Sequence, residues 1–298
     1  FLWKSARYVL RQLSQTPAHD DDPERLAMVR AWVGKRAIRV SVIIPTYGDP
    51  ALVTRCVESV RGSGAEQILV VDDGSPAEAQ RALARLPCTL IPLADNRGFA
   101  AAVIAGMRAA DPRSDIVVMN SDVEAWPGWL DQLKFCAYRD KRVGILGPKL
   151  LYPNGTIQSA GSFRNLGAPA WFDHYYRYQP AAYPPANVQR DVVAVTGACM
   201  YIKRVVVDAI GTFDQAYLMA FEDVDYCLRA RQAGFRVVYC PHATLTHLES
   251  ASRGKRQGPR ELASQDRFWR TWGSFLDERS VRTPTGKLRV VYVLQKTN

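Results

Sequence analysis

Four short apolar runs, each cut off by a cluster of turn-forming polar residues, organise the first part of this chain. Arg39-Val-Ser-Val-Ile-Ile-Pro45 reads as a strand that ends in the turn Thr46-Tyr-Gly-Asp-Pro50. Residues 67–71 run into Asp72-Asp-Gly-Ser-Pro76, residues 88–91 into Ala94-Asp-Asn-Arg-Gly98, and residues 116–119 into Asn120-Ser-Asp-Val-Glu124. Between these runs, residues 52–60, 77–86 and 99–110 show a helical pattern. Strands alternating with helices predict an α/β fold: a mostly parallel central sheet with helices on both faces. The polar clusters then gather along one edge of that sheet and outline a cleft.

The pattern continues less regularly. Leu26, Val29, Trp32 and Val33 recur at helical spacing within a polar-aromatic extension, residues 1–37, which breaks at Asp20-Asp-Asp-Pro23. Residues 144–152 read as a strand before the turn Pro153-Asn-Gly155, residues 192–202 as a second apolar strand, and residues 235–239 as another. In the 192–202 run, Gly197 permits either a bend or a close backbone approach to a ligand. Residues 161–190 read as a long irregular loop rich in aromatics, including Trp171, Phe172, Tyr175, Tyr176, Tyr178 and Tyr183. Its rings serve either as faces for sugars or as packing on the core. A final helix, residues 259–276, carries Phe268, Trp269 and Trp272 toward the core or a membrane face. The expected organisation is the extension 1–37, one domain over 38–280 with halves 38–125 and 126–280, and a segment 281–298. That last segment is either an edge strand of this domain or a linker leading into the first strand of another.

Composition narrows the function classes. A chain of 298 residues, 47% of them apolar, can bury a large core. Its formal charge of +10 suits an acidic partner such as a nucleotide or an anionic membrane surface. No nucleic-acid recognition motif is present, so no nucleic acid is expected. Arg253, Lys255 and Arg256 belong to a basic loop that is either solvated or a lid over phosphates. Six scattered cysteines without a Cys-x-x-Cys pair predict buried thiols in a reducing compartment. No apolar run reaches the ~18 residues of a membrane span, and no signal peptide is recognisable. A cytoplasmic protein, resting peripherally against a membrane, is expected. Neither Gly-x-Gly-x-x-Gly after the first strand nor Gly-x-x-x-x-Gly-Lys-Ser/Thr occurs, which argues against a dehydrogenase or a P-loop enzyme. The turn 45–50 also lacks the Gly-rich basic loop of a nucleotidyltransferase.

The chemistry concentrates at Asp122 and Glu124, just past the strand at 116–119. Two hard oxygen donors so close suit a divalent cation, Mg²⁺ or Mn²⁺, with a diphosphate beyond it. The alternative is a polar turn with one acid as a helix cap. The second half supplies Glu222-Asp-Val-Asp225 opening a helical stretch, where acids also complement the helix dipole. Asp225 and Arg229 have the spacing of a helix-surface pair. His247 is either structural or a ligand, and His242 reads as structural. His174 lies in the aromatic loop with no evident partner, and His19 in a solvated break.

Val42-Ile-Ile-Pro-Thr-Tyr47, Val70-Val-Asp-Asp-Gly-Ser75, Asn96-Arg-Gly98 and Asn120-Ser-Asp-Val-Glu124 follow one another in this order. Together they resemble the nucleotide-sugar half of a family 2 inverting glycosyltransferase with the A-type glycosyltransferase fold, and the resemblance spans roughly residues 38–275. It implies that the turn Pro45-Thr46-Tyr47, with Asp49 in the same turn, and Asp73 hold a pyrimidine base. Asp72 would do ribose or structural work, and Asn96, Arg97 and Gly98 would approach the diphosphate. Asp122 would meet the ribose and the metal, Glu124 the metal, and His247 would complete the metal site. Glu124 departs from the family's usual Asp-x-Asp by one methylene. Asp223 would be the general base, with Glu222 beside it.

The motifs also look like those of bacterial enzymes that build surface polysaccharides such as O-antigen. Rhamnosyltransferases are one class among these, galactosyl- and other hexosyltransferases further ones. The implied donor is a UDP or dTDP sugar, and the implied acceptor a growing glycan on a polyprenyl carrier. A further glycosyltransferase domain in a longer chain is also implied. The alternative is a non-catalytic glycan- or nucleotide-binding domain.

Overall fold

The computed structural model describes residues 23–165, 171–248, 258–282 and 288–290. Residues 253–257 of the basic loop 253–260, His19 and the last eight residues lie outside them. Helix α1 (Pro23–Gly34) precedes the first strand and buries Val29 and Val33, with Trp32 edge-on to Phe135. The expected alternation then follows as β1 (Val40–Thr46), α2 (Pro50–Val60), β2 (Gln67–Asp72), α3 (Ala77–Leu83), β3 (Thr89–Pro92), α4 (Phe99–Ala109) and β4 (Asp115–Met119). Every residue of β1 and β4 is buried, as expected of strands covered on both faces. The β1 side chains alternate: Ile43 packs in one core layer with α4, and Val42 and Ile44 pack in the other with α2.

The chain continues with β5 (Val123–Ala125), α5 (Trp129–Tyr138), β6 (Val143–Leu151), β7 (Ile157–Ser159), β8 (Ser162–Arg164), β9 (Phe172–His174), β10 (Arg190–Asp191), β11 (Cys199–Ile202), α6 (Arg204–Ile210), α7 (Glu222–Gln232), β12 (Arg236–His247) and α8 (Pro259–Glu278). The main sheet runs β10-β12-β6-β11-β4-β1-β2-β3, with β5 on β12 and β7 on β6. The pairings give β3, β2, β1, β4, β6 and β12 one common direction, with β11 reversed between β4 and β6. The sheet is thus mostly parallel along its centre, with helices on both faces. Strands β13 (Ser280–Arg282) and β14 (Leu288–Val290) pair antiparallel with each other. Among the described residues no helix is long and apolar enough to cross a membrane.

Several local expectations are corrected. The apolar run 192–202 forms a strand only from Cys199; residues 192–195 are buried, and their carbonyls serve side chains and neighbouring loops. The Arg231 Nε–H donates to the Val193 carbonyl at 3.2 Å, and the Ser162 amide to the Ala194 carbonyl at 2.9 Å. The strand expected to stop at Tyr239 continues to His247. Pro241 cannot donate to a ladder, and an irregularity in register between Cys240 and Thr244 absorbs it. Helix α5 escaped the pattern reading because eight of its ten residues are buried, which leaves no polar stripe to set the period.

The aromatic segment mostly packs. Phe163 is buried, and Phe172 stands edge-on to Phe268 of α8 at 5.7 Å. Tyr178 is the exposed exception, stacked on Tyr152 at 5.4 Å. Helix α8 turns Phe268, Trp272 and Leu276 into the core, so these rings face the domain and not a membrane. Asp225 is no surface residue: its carboxylate takes the Trp272 indole N–H at 2.9 Å, the Tyr217 hydroxyl at 3.2 Å and Arg229 Nε at 2.9 Å. It ties α7 to α8. All six thiols are free, and five are buried.

Candidate active site

The loop after β2 is fastened to the loop before α4. Both Asp73 oxygens accept backbone amides at 2.8 Å, from Arg97 and from Gly98. Gly74 has φ +77°, and a Cβ there would lie 2.6 Å from the Asp95 carbonyl carbon, so only glycine allows this contact. Burial pushes the Asp73 carboxyl up from its ordinary value, against the downward pull of those two amides. The Asp73 amide in turn donates to the Thr46 carbonyl at 2.9 Å. Asp73 therefore builds the cleft wall, and its oxygens keep lone pairs for a further donor.

Asp72 is fully buried; one oxygen accepts the Ser75 amide at 3.1 Å, and the other has no hydrogen-bond partner among the described residues. Tyr47 is 54% exposed, and Asn96 and Arg97 are exposed at the rim. Pro45 is buried in the strand, opposite Val71. Asp49, expected near the donor, caps α2 by accepting the Ala51 and Leu52 amides at 3.1 and 3.2 Å.

Strand β5 lies antiparallel to the end of β12, so Val123 faces His247 and Glu124 faces Thr246. This pairing brings residue 122 to residue 247 across more than a hundred positions. His247 Nε2 is 3.1 Å from Asp122 Oδ1, and both side chains are nearly buried. Glu124 turns elsewhere: its carboxylate is paired with the guanidinium of Arg55 on α2. Among the described residues no three His, Cys, Asp or Glu side chains converge as a metal cage. Asp122 and His247 form a two-donor pair, and Glu124 would have to leave Arg55 to join them.

The acid pair opens α7. Ala220 and Phe221 both have left-handed backbones, φ +68° and +69°, which in non-glycine residues cost on the order of 1–3 kcal/mol each. This tight entry aims the first turn. Asp223 Oδ2 accepts the Gly197 amide at 2.8 Å, and Oδ1 the Val224 amide at 2.8 Å. Glu222 is buried beside it. A Cβ on Gly197 would meet the Phe99 ring at 3.3 Å and the Asp223 Cβ at 3.6 Å. Ala198, the next residue, accepts the Asn120 amide at 3.0 Å. Residues 197–198 therefore lie between Asp223 and the Asn120–Asp122 segment, while Phe99 follows the Gly98 that Asp73 holds. Gln158, Arg55 and Ser264, whose hydroxyl accepts the Leu218 and Met219 amides at 3.1 Å, are site supports that no motif announced.

Residues 37–273 match the family described as glycosyltransferase like family 2. The chain belongs to that glycosyltransferase family. A relative named uncharacterized protein y4gI, from Sinorhizobium fredii (strain NBRC 101917 / NGR234), is 36% identical over 259 residues, which is 80% of this chain and 28% of that one. The O-antigen biosynthesis protein RfbC of Myxococcus xanthus is 31% identical over 227 residues, 72% of this chain and 18% of that one. The chain spans less than a third of the length of these two relatives. An N-acetylglucosaminyl-diphospho-decaprenol L-rhamnosyltransferase of Mycobacterium tuberculosis (strain ATCC 25618 / H37Rv) is 31% identical over 212 residues, 63% of this chain and 68% of that one. The solved structure of GalNAc-T7 with UDP, GalNAc and Mn²⁺ superposes with a TM-score of 0.64 at 14% identity, covering 81% of this chain and 49% of that one. That likeness establishes the A-type glycosyltransferase fold. The family 2 glycosyltransferase motifs noted in the sequence all fall inside the matched span.

Proposed function

We propose that this glycosyltransferase domain moves a sugar, with inversion, from a UDP or dTDP sugar to a hydroxyl of a growing bacterial surface glycan. The observation that carries the proposal is the pair of hydrogen bonds made at Gly197–Ala198. It holds the carboxylate of Asp223 on one side and the Asn120–Asp122 segment on the other. A base for the incoming hydroxyl and a binding pair for the departing diphosphate are thus coupled through two residues.

The chain's own groups supply most of the mechanism. Asp223 accepts the proton of the attacking hydroxyl as that oxygen reaches the anomeric carbon. Its two backbone N–H bonds hold it oriented, and Glu222 stands beside it. Asp73, Thr46 and Tyr47 line the place for the base, the buried Asp72 braces the turn through the Ser75 amide, and Arg97 and Gly98 stand by the diphosphate. The pair at 122 and 247 fits a divalent cation: an imidazole nitrogen and a carboxylate oxygen at 3.1 Å suit Mn²⁺, with Mg²⁺ the harder alternative. When bound by Asp122 and His247, such an ion supplies charge stabilisation to the leaving diphosphate. No covalent sugar-enzyme intermediate is needed, since the attack is a single displacement.

Relatives named for O-antigen biosynthesis and for L-rhamnosyl transfer support rhamnose as the sugar, with galactose or another hexose next, and a polyprenyl-linked acceptor. Such an acceptor places the work at the inner face of the bacterial membrane. The test is a panel of UDP and dTDP sugars, each with and without Mn²⁺, read by thermal shift and by release of nucleoside diphosphate. Binding to the folded state raises Tm by mass action. A metal-dependent Tm rise and turnover with one donor, both lost in Asp122→Ala, supports the proposal. Binding without any turnover across the panel, with acceptor glycans present, would leave a glycan- or nucleotide-binding domain instead.

A further inference from the structure

We infer that Gln158 is the positioning residue of the Asp122–His247 pair: its carboxamide holds His247 in the tautomer that turns an unprotonated Nε2 toward Asp122. The functional sense of this inference rests on the cation reading above; the tautomer rests on hydrogen bonding alone.

Gln158 lies in β7, the short return strand of the hairpin with β6, and is 3% exposed. Its Oε1 is 2.7 Å from His247 Nδ1, and its Nε2 is 3.5 Å from the His247 backbone carbonyl. The carbonyl can only accept, so the amide NH₂ belongs on that side. Oε1, an acceptor, then faces Nδ1, which must carry the proton. In the neutral ring this leaves Nε2 with a lone pair, 3.1 Å from an Asp122 oxygen that is also an acceptor. Two acceptors at that distance are reconciled either by a second ring proton donated to Asp122 or by a metal ion held by both. A metal-ligating histidine whose other nitrogen is fixed by a buried partner is the usual arrangement of such sites. A merely structural glutamine would brace the hairpin without selecting the proton's position.

The experiment uses the full chain with ¹⁵N-labelled histidine. It has four histidines, and His247→Asn assigns the ring in question. Long-range ¹H–¹⁵N spectra of the metal-free protein at mildly alkaline pH read the tautomer. The expected result is a pyrrole-type Nδ1 and a pyridine-type Nε2 in the wild type. Gln158→Leu should move the proton toward Nε2, where Asp122 can accept it, and Gln158→Glu, which still accepts from Nδ1, should keep the wild-type pattern. A wild-type ring protonated at Nε2, or no change in Gln158→Leu, overturns the inference. Mn²⁺ affinity, read by electron paramagnetic resonance with UDP or dTDP present, should fall roughly 10–100-fold in Gln158→Leu and recover in Gln158→Glu. Unchanged affinity in Gln158→Leu overturns the positioning role. A wild type that keeps the tautomer yet binds no Mn²⁺ overturns that role too, and its distinct signature shows that the cation reading is what failed.

Discussion

In residues 38–125 most candidate site residues follow a strand built by their own neighbours; in residues 126–280 almost none does. Asp73 follows β2, Asn96 to Gly98 lead into α4, and Asp122 follows β4, in chain order and along one edge. In the other half, Gln158 comes from a hairpin return, Gly197 from a buried non-strand run, Asp223 from a helix entry and His247 from the end of a twelve-residue strand. These meet because β11 is reversed between β4 and β6, and because β12 pairs with both β6 and β5. The first half is a set of local motifs placed by a repeating topology. The second is a set of long-range contacts placed by strand insertion. Candidates of the first kind follow from local pattern; of the second, Asp223 and His247 came only through the family resemblance, and Gln158 only by geometry.

Perturbations should therefore differ between the halves. The largest effect is expected at Asp223→Asn, which removes the base but not the Gly197 contact of an oxygen. Transfer should drop by roughly 10²–10⁴-fold while donor binding stays near normal, as steady-state rates and thermal shift would report. Retained turnover would remove Asp223 from its role. Next, Asp225→Ala leaves Trp272 Nε1 and the Tyr217 hydroxyl without their acceptor and takes the carboxylate from Arg229, which keeps the Ile210 and Thr212 carbonyls. Denaturant unfolding should show a loss of about 3 kcal/mol, as for a partly buried ion pair broken on one side.

In the first half, Gly74→Ala forces a Cβ against the Asp95–Asn96 backbone at φ +77°. A loss of about 1–3 kcal/mol, with weakened nucleotide binding, would mark the Asp73–Gly74 clasp as a shared wall of fold and site. An unchanged melting point would show that the 95–98 loop yields freely.

His174 provides a test by pH. Its Nδ1 lies 3.0 and 3.2 Å from the Ser159 and Ser162 hydroxyls, and burial holds its pKa down to about 3, from an ordinary 6.5. Between those values the unfolded chain takes up a proton that the folded one refuses. Stability contributed by the neutral ring is therefore full above about 6.5 and is lost as pH falls toward 3. Tm should fall more steeply over that range in the wild type than in His174→Asn; parallel curves would contradict the buried neutral ring. The smallest stability effect belongs to Glu124→Gln, since the half-exposed Arg55 pair is worth at most about 1 kcal/mol. Its Mn²⁺ affinity sharpens the comparison: no change confines the metal pair to Asp122 and His247, whereas a clear loss makes Glu124 a third ligand when donor is bound.

The amino-acid sequence alone determined the α/β alternation, the edge on which the polar clusters meet, and the family. It could do so because strand and helix periods and strand-end turns are local, and because four short motifs in order are hard to produce otherwise. Tertiary structure alone decided the rest. It turned Glu124 to Arg55, buried Asp225 as an interhelical anchor, and carried β12 past Pro241 to bring His247 to Asp122. It also supplied Gln158, a lone glutamine in a short strand, to orient that histidine. Each of these depends on which group distant in sequence lies within about 3 Å of a side chain, and hydrogen bonding at that range leaves no periodic trace in the chain.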